Sequence, residues 1–532
     1  MRDFHLPGRS PVYSTHGMAA TAMPAATLTA LDVLRAGGNA MDAAIAAIAV
    51  CGVIEPQSTG IGGDCFCLWA PKGTDAIVAL NGSGRACAAS TIDWFEERGI
   101  AELENTSPHT VTIPGAVSAW ELLLAKYGTK GLDEILQPAI RFAEDGWPVH
   151  SRVASDWEKL EGKLRKNGAE AFLPNGAAPR PGDLFVQKPL AETLRTIAAK
   201  GSAGFYEGAV AADMVATLQA HGGLQTEQDF ANGRTVAEFV TPIRTTFRGH
   251  EVWQCPPNGS GLMVLMLLNI IEGWDAVANG PLDTTRLHRH LEAARLVYRD
   301  RDAFLADPAH ADIPVARLTS PDYIQGLRDL IHDDKAMPHM PAPGEALLPV
   351  HKDTTYLCVV DRDGNACSLI NSLFQGFGSG ILAGNTGIML QNRGFGFRVQ
   401  RGHPNCIAPN TRPMHTIIPG MVTKNGRAIM PYGVMGGHFQ PMGQTWFLSN
   451  MMDYGLDIQQ ALDLPRVFPY QGKVELERGI PQSTAQALAA MGHDITTADR
   501  PHGGGQAIWI DHNRGVLIGG SEPRKDGMAL GY

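Results

Sequence analysis

The sequence has 532 residues, of which 44% are hydrophobic and 18% are charged, and this balance is typical of a globular protein and not of a disordered chain. The chain is longer than a single ordinary hydrophobic core accommodates, so we expect two or three packed units or one large layered domain. The net charge of −10, together with the lack of any Lys/Arg-rich run, argues against nucleic acid as a partner.

The cysteines and the apolar runs bear on the compartment. Eight cysteines are scattered, mostly in apolar runs, as expected for small buried residues in a reducing environment. Cys65 and Cys67 form a C-x-C pair, but no second pair stands at zinc-ligand spacing, so no metal is expected. The longest apolar run, 43–54, is too short to span a bilayer, and residues 1–17 lack the apolar core of a signal peptide. We therefore expect a cytoplasmic protein without a membrane partner.

The first predicted elements are two helices within residues 25–54. They are separated at Gly37 and Gly38, and Asn39 is the expected N-cap of the second helix. Residues 54–70 are predicted to turn through a glycine-rich loop into a strand. This loop lacks the Lys-Ser/Thr of a P-loop and the spacing of a dinucleotide fingerprint, which argues against a phosphate site and against a cofactor of that kind.

The middle of the chain is predicted to be mostly helical after a strand within 75–85. Helices are expected at 112–128, at 132–146, through most of 151–300 and, as a charged helix, at 286–308, with a strand-like interruption at 249–261.

A change of composition follows at residues 336–353, which contain four prolines among small residues and show no periodicity. This segment is predicted to be an exposed, extended loop. Strands are expected after it, at 354–373, where an Asp-Gly-Asn turn predicts a β-hairpin, and at 379–392, 413–435 and 505–520. If these strands pair with those at 60–85, two sheets would lie face to face with helices outside.

The junction of the loop and the strands carries adjacent threonines, Thr354 and Thr355, directly after Asp353. Threonine is common at strand starts, so the pair by itself has an ordinary structural explanation. The chemical alternative is a threonine nucleophile that uses its own α-amine, with a pKa of about 7.7–8, as the base. That amine exists only if the chain is cut before Thr354. The strand would then hold the hydroxyl in place while the loop leaves.

A second candidate feature is the segment MPYGVMGGHFQPMG at 430–443. Gly436 and Gly437 precede a helix predicted to begin near Gln440. Adjacent glycines allow two backbone N–H groups to approach one oxygen closely, which an oxyanion hole requires. A plain strand-to-helix turn is at least as good an explanation of this segment taken alone.

These features occur within a wider resemblance to the γ-glutamyltransferases, N-terminal nucleophile hydrolases that cut themselves in two. The stretch 354–397 resembles that family most strongly, and further segments resemble it in the same order along nearly the whole chain: GGNAMDAAIAAIAV, IPGAVSAWELLLAKYG, LEAARLVYRDRDAFLADP, NTRPMHTIIPGMV, YGVMGG and EPRKDGMALGY. The resemblance implies an α+β fold, a four-layer αββα sandwich. It also implies a helix-rich heavy chain, 1–353, and a strand-rich light chain, 354–532, that form one intertwined domain after self-cleavage.

The resemblance assigns roles to individual residues. Thr354 matches the nucleophile, and the cut falls between Asp353 and Thr354. Ser372 matches the hydroxyl that steadies the new α-amine. Gly436 and Gly437 match the oxyanion-hole pair.

The remaining assignment concerns the substrate. Arg85 matches the arginine that holds the substrate's α-carboxylate. The expected substrate is a small-molecule amide, and no cofactor or metal is implied.

The acyl pocket departs from the family pattern. The usual Asn, Gln and Asp contacts fall on Phe374, Arg393 and Gly396, and the usual Ser-Ser pair falls on His415 and Thr416. The lost Asp normally receives the α-ammonium of glutamate, and a glycine cannot replace it. Arg393 adds a positive charge that favours a carboxylate over an ammonium. A carboxylate-bearing amide of the γ-glutamyl, glutaryl or oxamate type is therefore expected, as in glutaryl-type cephalosporin acylases and oxamate amidohydrolases.

Several alternatives remain open from the sequence. An ordinary glutathione hydrolase or transpeptidase is possible if another residue takes over the ammonium. A metallohydrolase, suggested by 18 histidines, is disfavoured because His288 and His290 point apart on a helix and no HExxH motif exists. An uncleaved binding relative without activity is a further alternative. The acyl acceptor, water or an amine, and a homo-oligomer beyond the two fragments are left open.

Overall fold

Two antiparallel seven-stranded sheets lie face to face in the computed structural model, which describes residues 5, 8–74, 76–338 and 354–532. The strands, in chain order, are β1 (Val12–Ser14), β2 (Met18–Thr21), β3 (Asp64–Ala70), β4 (Val78–Gly82), β5 (Trp147–Pro148), β6 (Leu184–Phe185), β7 (Glu238–Val240), β8 (Ile243–Phe247), β9 (His250–Gln254), β10 (Thr355–Val360), β11 (Ala366–Ser372), β12 (Leu382–Ala383), β13 (Ile388–Met389), β14 (Gly420–Lys424), β15 (Arg427–Met435), β16 (Val467–Tyr470), β17 (Lys473–Leu476), β18 (Ile495–Thr497), β19 (Gly504–Asp511), β20 (Val516–Ser521) and β21 (Met528–Gly531).

Helices cover the outer faces of both sheets. The α-helices are α1 (Pro24–Arg35), α2 (Ala40–Ile54), α3 (Ile92–Glu96), α4 (Ala116–Tyr127), α5 (Leu132–Ile135), α6 (Gln137–Asp145), α7 (Ser151–Glu158), α8 (Glu161–Lys166), α9 (Lys188–Lys200), α10 (Ala203–Tyr206), α11 (Gly208–Ala220), α12 (Glu227–Gly233), α13 (Gly261–Glu272), α14 (Thr284–Phe304), α15 (Val315–Leu318), α16 (Pro321–Asp329), α17 (Gln440–Met452), α18 (Ile458–Asp463) and α19 (Gln482–Ala490). Short 3-10 helices lie at Pro108–Thr110, Glu170–Phe172, Pro174–Gly176, Arg393–Gly396 and Gly437–Phe439.

Both sheets mix strands from before and after the predicted cut. One sheet has the order β1-β20-β19-β15-β14-β9-β8, and the other has the order β21-β2-β10-β11-β3-β4-β7. In the second sheet, β10 lies between β2 and β11, and β11 in turn pairs with β3. Neither part of the chain could complete a sheet without the other, since ladder hydrogen bonds would be left unmade at every such boundary.

The sandwich has four layers because the two sheets share one apolar core and each has a second core under its helices. Phe66, Tyr356 and Met421 belong to the core between the sheets. Helix α2 packs on β10 and β11, while α13 and α17 pack on the other sheet. A helix that is apolar on all sides, such as α2, needs such burial. The expected α+β fold with αββα layering is confirmed.

Most of the predicted local elements are confirmed. Asn39 caps α2, since its Oδ1 accepts from the backbone N of Met41 at 2.9 Å and of Asp42 at 3.0 Å. The predicted helix 132–146 is two helices, α5 and α6, with Pro138 in the first turn of the second. The predicted interruption at 249–261 is larger than expected, because β7 and β8 precede β9.

Two predictions on irregular segments had different outcomes. The expected strand at 379–392 is mostly loop with the two-residue strands β12 and β13, and Gly380 and Gly387 there have the positive φ values of turns. Of the predicted loop 336–353, residues 339–353 lie outside the described residues.

The structure also bears on the state of the cysteines and on membrane-spanning helices. All eight cysteines are free thiols, and seven of them are buried, as expected. Within the described ranges, no helix combines the length and the apolar character that crossing a membrane requires.

Candidate active site

The β10–β11 hairpin places two predicted site residues opposite each other. Thr355 pairs with Asn371 in the antiparallel register, so Thr354 lies across from Ser372. Their Oγ atoms are 3.2 Å apart, within hydrogen-bond distance. Thr354 is 1% exposed and Ser372 is fully buried. The hairpin register alone therefore brings the candidate nucleophile to the hydroxyl predicted to support it.

Ser372 is held by the second residue after the strand. Its Oγ accepts a hydrogen bond from the backbone N of Phe374 at 2.8 Å. Phe374 has φ +81, in the left-handed region, where a residue with a side chain costs roughly 1–3 kcal/mol. Strain of this size persists at sites where the surrounding structure fixes the backbone. Here it turns the chain so that the Phe374 amide reaches Ser372.

The predicted glycine pair forms the turn between β15 and α17. Gly436 has φ +124 and Gly437 has φ +57. A Cβ on Gly436 would lie 2.7 Å from Cα of Gly503, so a larger residue does not fit. Within the described part of the chain, neither amide N–H of the two glycines donates to another group. A pair of N–H groups in this state is what an oxyanion hole offers to a developing negative charge.

This turn lies beside the hairpin end that carries Ser372. The ring of His438, the residue after Gly437, has its centroid 6.3 Å from that of the Phe374 ring. Because Phe374 also contacts Ser372, the turn, the candidate nucleophile and Phe374 belong to one site.

Arg393 is buried in this site. Its side chain is fully buried, its Cζ lies 4.2 Å from the centroid of the Phe374 ring, and its Nη1 donates to Oγ1 of Thr416 at 2.9 Å. Its Nε and Nη2 have no hydrogen-bond partner among the described residues. Burial lowers the pKa of Arg393 to about 9, so the guanidinium remains a cation near neutral pH. Two donors of a buried cation are thus available to an anion.

A buried carboxylate that the sequence reasoning missed, Asp64, organises the back of the site. Its Oδ1 accepts from the backbone N of Gly84 and Gly115, both at 3.0 Å, and from Nε2 of Gln391 at 2.9 Å. Its Oδ2 lies 3.0 Å from Nε2 of His415. The signal available in the sequence was an acid directly after the glycines of GIGGDCF.

His415 is a neutral, structural member of this group. Burial lowers the pKa of His415 to about 3, and the charge of Arg393 adds to the lowering. Its Nε2 therefore carries the proton and donates to Asp64, while its Nδ1 accepts from the backbone N of Ile417 at 3.3 Å. Both ring nitrogens are engaged within the protein. The predicted contact of His415 with substrate stays a prediction. Thr416 belongs to the site because its Oγ1 accepts the hydrogen bond from Arg393.

Arg85 lies in different surroundings. Its Nη1 donates to the carbonyl of Asn410 at 2.9 Å and pairs with Oδ2 of Asp307 at 3.3 Å. Its side chain is 31% exposed and lines a cleft of about 870 Å³ that Arg412 also lines. The structure thus gives Arg85 protein partners, and its predicted role toward a substrate carboxylate stays a prediction.

The structure therefore groups Thr354, Ser372, Phe374, Arg393 and Thr416, with Gly436 and Gly437 at the adjoining turn and His415 behind. Gly396 lies three positions after Arg393 in the chain. A Cβ on Gly396 would lie 3.0 Å from the carbonyl oxygen of Met414. Asp353, the residue before the predicted cut, lies outside the described residues.

The histidines considered for a metal lie elsewhere. Nδ1 of His288 is 2.8 Å from Nε2 of His493, whereas the ring of His290 packs against Trp446. Across the described ranges, no group of three or more His, Cys, Asp or Glu side chains is arranged to hold a metal ion.

Comparison with known proteins defines the class. The family model described as gamma-glutamyltranspeptidase matches residues 26–532, and the chain belongs to this family. Its relatives are hydrolases and acylases, which makes it an amidohydrolase or acylase of the γ-glutamyltranspeptidase type.

The similar proteins carry more than one activity in their names. The glutathione hydrolase-like YwrD proenzyme of Bacillus subtilis (strain 168) is 39% identical over 513 residues, which cover 94% of this chain and 95% of the relative. The oxamate amidohydrolase proenzyme of Klebsiella pneumoniae is 34% identical, with coverage of 98% and 99%. The crystal structure of cephalosporin acylase from Bacillus halodurans superposes with a TM-score of 0.92 at 38% identity, covering 100% of this chain and 99% of that one.

Proposed function

We propose that this chain is a self-processing amidohydrolase that cleaves a small carboxylate-bearing amide through an acyl-enzyme on Thr354. The observation that carries the proposal is the 3.2 Å contact between the Oγ atoms of Thr354 and Ser372 at the start of a strand. The name proenzyme, borne by several relatives, supports processing of a single precursor.

The first step is the cut at Asp353–Thr354. Oγ of Thr354 attacks the Asp353 carbonyl carbon, the C–N bond breaks, and the nitrogen takes up a proton to become the α-amine of Thr354. Water then hydrolyses the resulting ester. This hydrolysis leaves an α-carboxylate on Asp353 and restores the hydroxyl of Thr354. We expect the fragments 1–353 and 354–532 to stay associated, since both sheets contain strands of each.

Turnover uses the amine that this cut creates. The α-amine, with an ordinary pKa of about 7.7–8, takes the hydroxyl proton while Oγ attacks the substrate carbonyl. The N–H groups of Gly436 and Gly437 stabilise the oxyanion. The protonated amine gives its proton to the leaving nitrogen. Water then releases the acid from the ester, and an acceptor amine would instead give transfer.

The proposed substrate class follows from Arg393. A buried guanidinium whose Nε and Nη2 have no partner within the described ranges can bind a carboxylate through two parallel hydrogen bonds. An α-ammonium near it would meet repulsion and, at Gly396, no carboxylate. We therefore place glutaryl-type and oxamate-type amides ahead of γ-glutamyl amides.

The proposed location is the cytoplasm, where thiols such as the eight found here stay reduced.

A second candidate is an ordinary glutathione hydrolase or γ-glutamyl transpeptidase. It is favoured by relatives that bear this name, including that of Escherichia coli (strain K12) at 32% identity. It requires another carboxylate to receive the ammonium in place of the one that Gly396 lacks.

The test combines processing with a substrate panel. Purified protein should run as two fragments on a denaturing gel and not as one band near 57.0 kDa. The processed protein is then assayed with glutaryl-p-nitroanilide, γ-glutamyl-p-nitroanilide and oxamate. An intact chain that hydrolyses none of them would support a non-catalytic binding protein and contradict the proposal. A strong preference for the γ-glutamyl compound would support the second candidate.

A further inference from the structure

Two side chains of helix α14 reach the glycine turn from the other part of the chain. Tyr298 and Arg301 are three residues apart and share one helix face. The Tyr298 hydroxyl donates to the backbone carbonyl of His438. Arg301 Nη1 lies 2.7 Å from Nδ1 of the His438 ring. Both groups therefore contact the residue that directly follows the Gly436–Gly437 pair.

We propose that Tyr298 and Arg301 are positioning residues that hold the oxyanion turn in its active geometry. This inference rests on the proposed function, since it assumes that the turn binds an oxyanion. Neither side chain needs to touch the substrate. They act through His438, one by fixing a peptide carbonyl and the other by fixing a ring.

The contacts leave the turn little freedom on this side. Arg301 is 5% exposed, and its Nε donates to Oδ1 of Asp302 at 2.8 Å, which orients its Nη1. Its Cζ also lies 4.8 Å from the centroid of the Tyr298 ring. Because a guanidinium can only donate, Nδ1 of His438 is the acceptor and carries no proton. Burial raises the pKa of Tyr298, so its hydroxyl stays a donor.

The turn needs such support because its backbone is unusual. Gly436 and Gly437 both have positive φ values, and glycine has the widest conformational freedom of any residue. An oxyanion hole works by holding its N–H groups in place before the charge develops. Phe439, the residue after His438, packs on Phe468 with ring centroids 5.4 Å apart, and Phe468 in turn packs on the Tyr298 ring at 5.9 Å. The two α14 contacts complete the fixation from the side of residues 1–353.

The decisive variant is Tyr298→Phe, with Tyr323→Phe as its matched control. Tyr323 also bonds to α14, through Oδ2 of Asp300 at 2.7 Å, but not to the turn. We expect Tyr298→Phe to lower kcat roughly tenfold with little change in KM. This loss is smaller than the roughly 10²–10³-fold decrease in kcat that follows removal of an oxyanion-hole donor itself. Tyr323→Phe should keep the kcat of the unsubstituted protein. Glutaryl-p-nitroanilide and oxamate are the substrates, and Tm and the processed N-terminus are measured for every variant.

A second pair of variants covers the case in which Tyr298→Phe does not fold. Arg301→Lys retains a cationic donor and should keep more of kcat than Arg301→Ala, again at similar KM. Equal kcat for Tyr298→Phe and the unsubstituted protein would overturn the inference and leave the proposed function standing. So would Arg301→Lys and Arg301→Ala variants with equal kcat. If the unsubstituted, processed protein hydrolyses neither substrate, the proposed function itself fails, and this inference fails with it.

Discussion

The guanidinium carbon of Arg393 lies 4.2 Å from the centroid of the Phe374 ring, and both side chains are almost completely removed from solvent. A desolvated cation–π contact of this kind is worth about 2 kcal/mol, which offsets only part of the cost of burying the charge. Burial lowers the pKa of the Arg393 guanidinium, and the charge of Asp64 opposes part of this lowering. Two donors remain unpaired within the described structure, and this combination predicts an anion as the natural partner.

The first prediction concerns this cation and its neighbour Gly396. Arg393→Gln together with Gly396→Asp should shift preference from glutaryl-p-nitroanilide toward γ-glutamyl-p-nitroanilide, because it restores an acceptor for the ammonium. A hydrogen bond to a charged group contributes roughly 1.5–3 kcal/mol, so Arg393→Gln alone should cost on the order of tenfold to a hundredfold in kcat/KM on glutaryl-p-nitroanilide.

The control for this pair is Gly396→Ala, which adds a Cβ near the Met414 carbonyl oxygen without a carboxylate. It should leave the ratio of the two kcat/KM values unchanged. If the unsubstituted enzyme already prefers the γ-glutamyl compound by a wide margin, the interpretation of the pocket is wrong.

The second prediction separates Arg85 from Arg393. Arg85 is paired with Asp307 and is partly exposed, whereas Arg393 is fully buried and has two donors without a partner among the described residues. Because Nη1 of Arg85 already has Asp307 and the Asn410 carbonyl as partners, we expect Arg85→Ala to lower kcat/KM on glutaryl-p-nitroanilide by less than about tenfold. A loss as large as that of Arg393→Gln, recovered in Arg85→Lys, would instead establish Arg85 as the substrate's carboxylate partner.

The third prediction concerns the nucleophile. Thr354→Ala should abolish both self-cleavage and turnover, because hydroxyl and base belong to one residue. Thr355→Ala is the matched control, since it removes the hydrogen bond to Oε2 of Glu55 and a buried methyl group but keeps Thr354, and it should leave cleavage in place. N-terminal sequencing of the smaller fragment should read TTYLCVV. Turnover retained by Thr354→Ala, or a different N-terminus, would contradict the mechanism.

The fourth prediction is a pH dependence of stability caused by Glu55. Burial raises the pKa of Glu55 to about 7 from 4.5, against the lowering effect of the Lys525 charge. An acid with a raised pKa in the folded state stabilises fully below pH 4.5, and this contribution is lost as the pH rises to about 7. From the size of the shift, the loss is roughly 3 kcal/mol.

Glu55→Gln should therefore show a smaller decline of the urea midpoint between pH 5 and 8 than the unsubstituted protein. Glu134→Gln changes an exposed acid and serves as the control, with an unaltered pH dependence. Identical curves for Glu55→Gln and the unsubstituted protein would show that Glu55 does not titrate in this range.

The sequence by itself determined the local parts of the site. The predicted strand start at Thr354 and the hairpin that follows place Thr354 across from Ser372, since a short turn sets the register of an antiparallel pair. The sequence also predicted the glycine pair before the helix at Gln440, because glycine often occupies backbone conformations that other residues cannot adopt. The resemblance supplied the layering, which the structure confirms, and also the roles, which stay predictions.

Only the tertiary structure decided which distant side chains meet. Asp64 and His415 are 351 positions apart in the chain, and Tyr298 and His438 are 140 apart. Nothing in the spacing of such residues predicts their contact, because it arises only when two sheets and their helices pack together. The same packing paired Arg85 with Asp307 and left two donors of Arg393 without a partner in the described part of the chain. Local pattern thus located the candidate nucleophile, whereas the charges around the proposed site were set by burial and by partners brought from far along the chain.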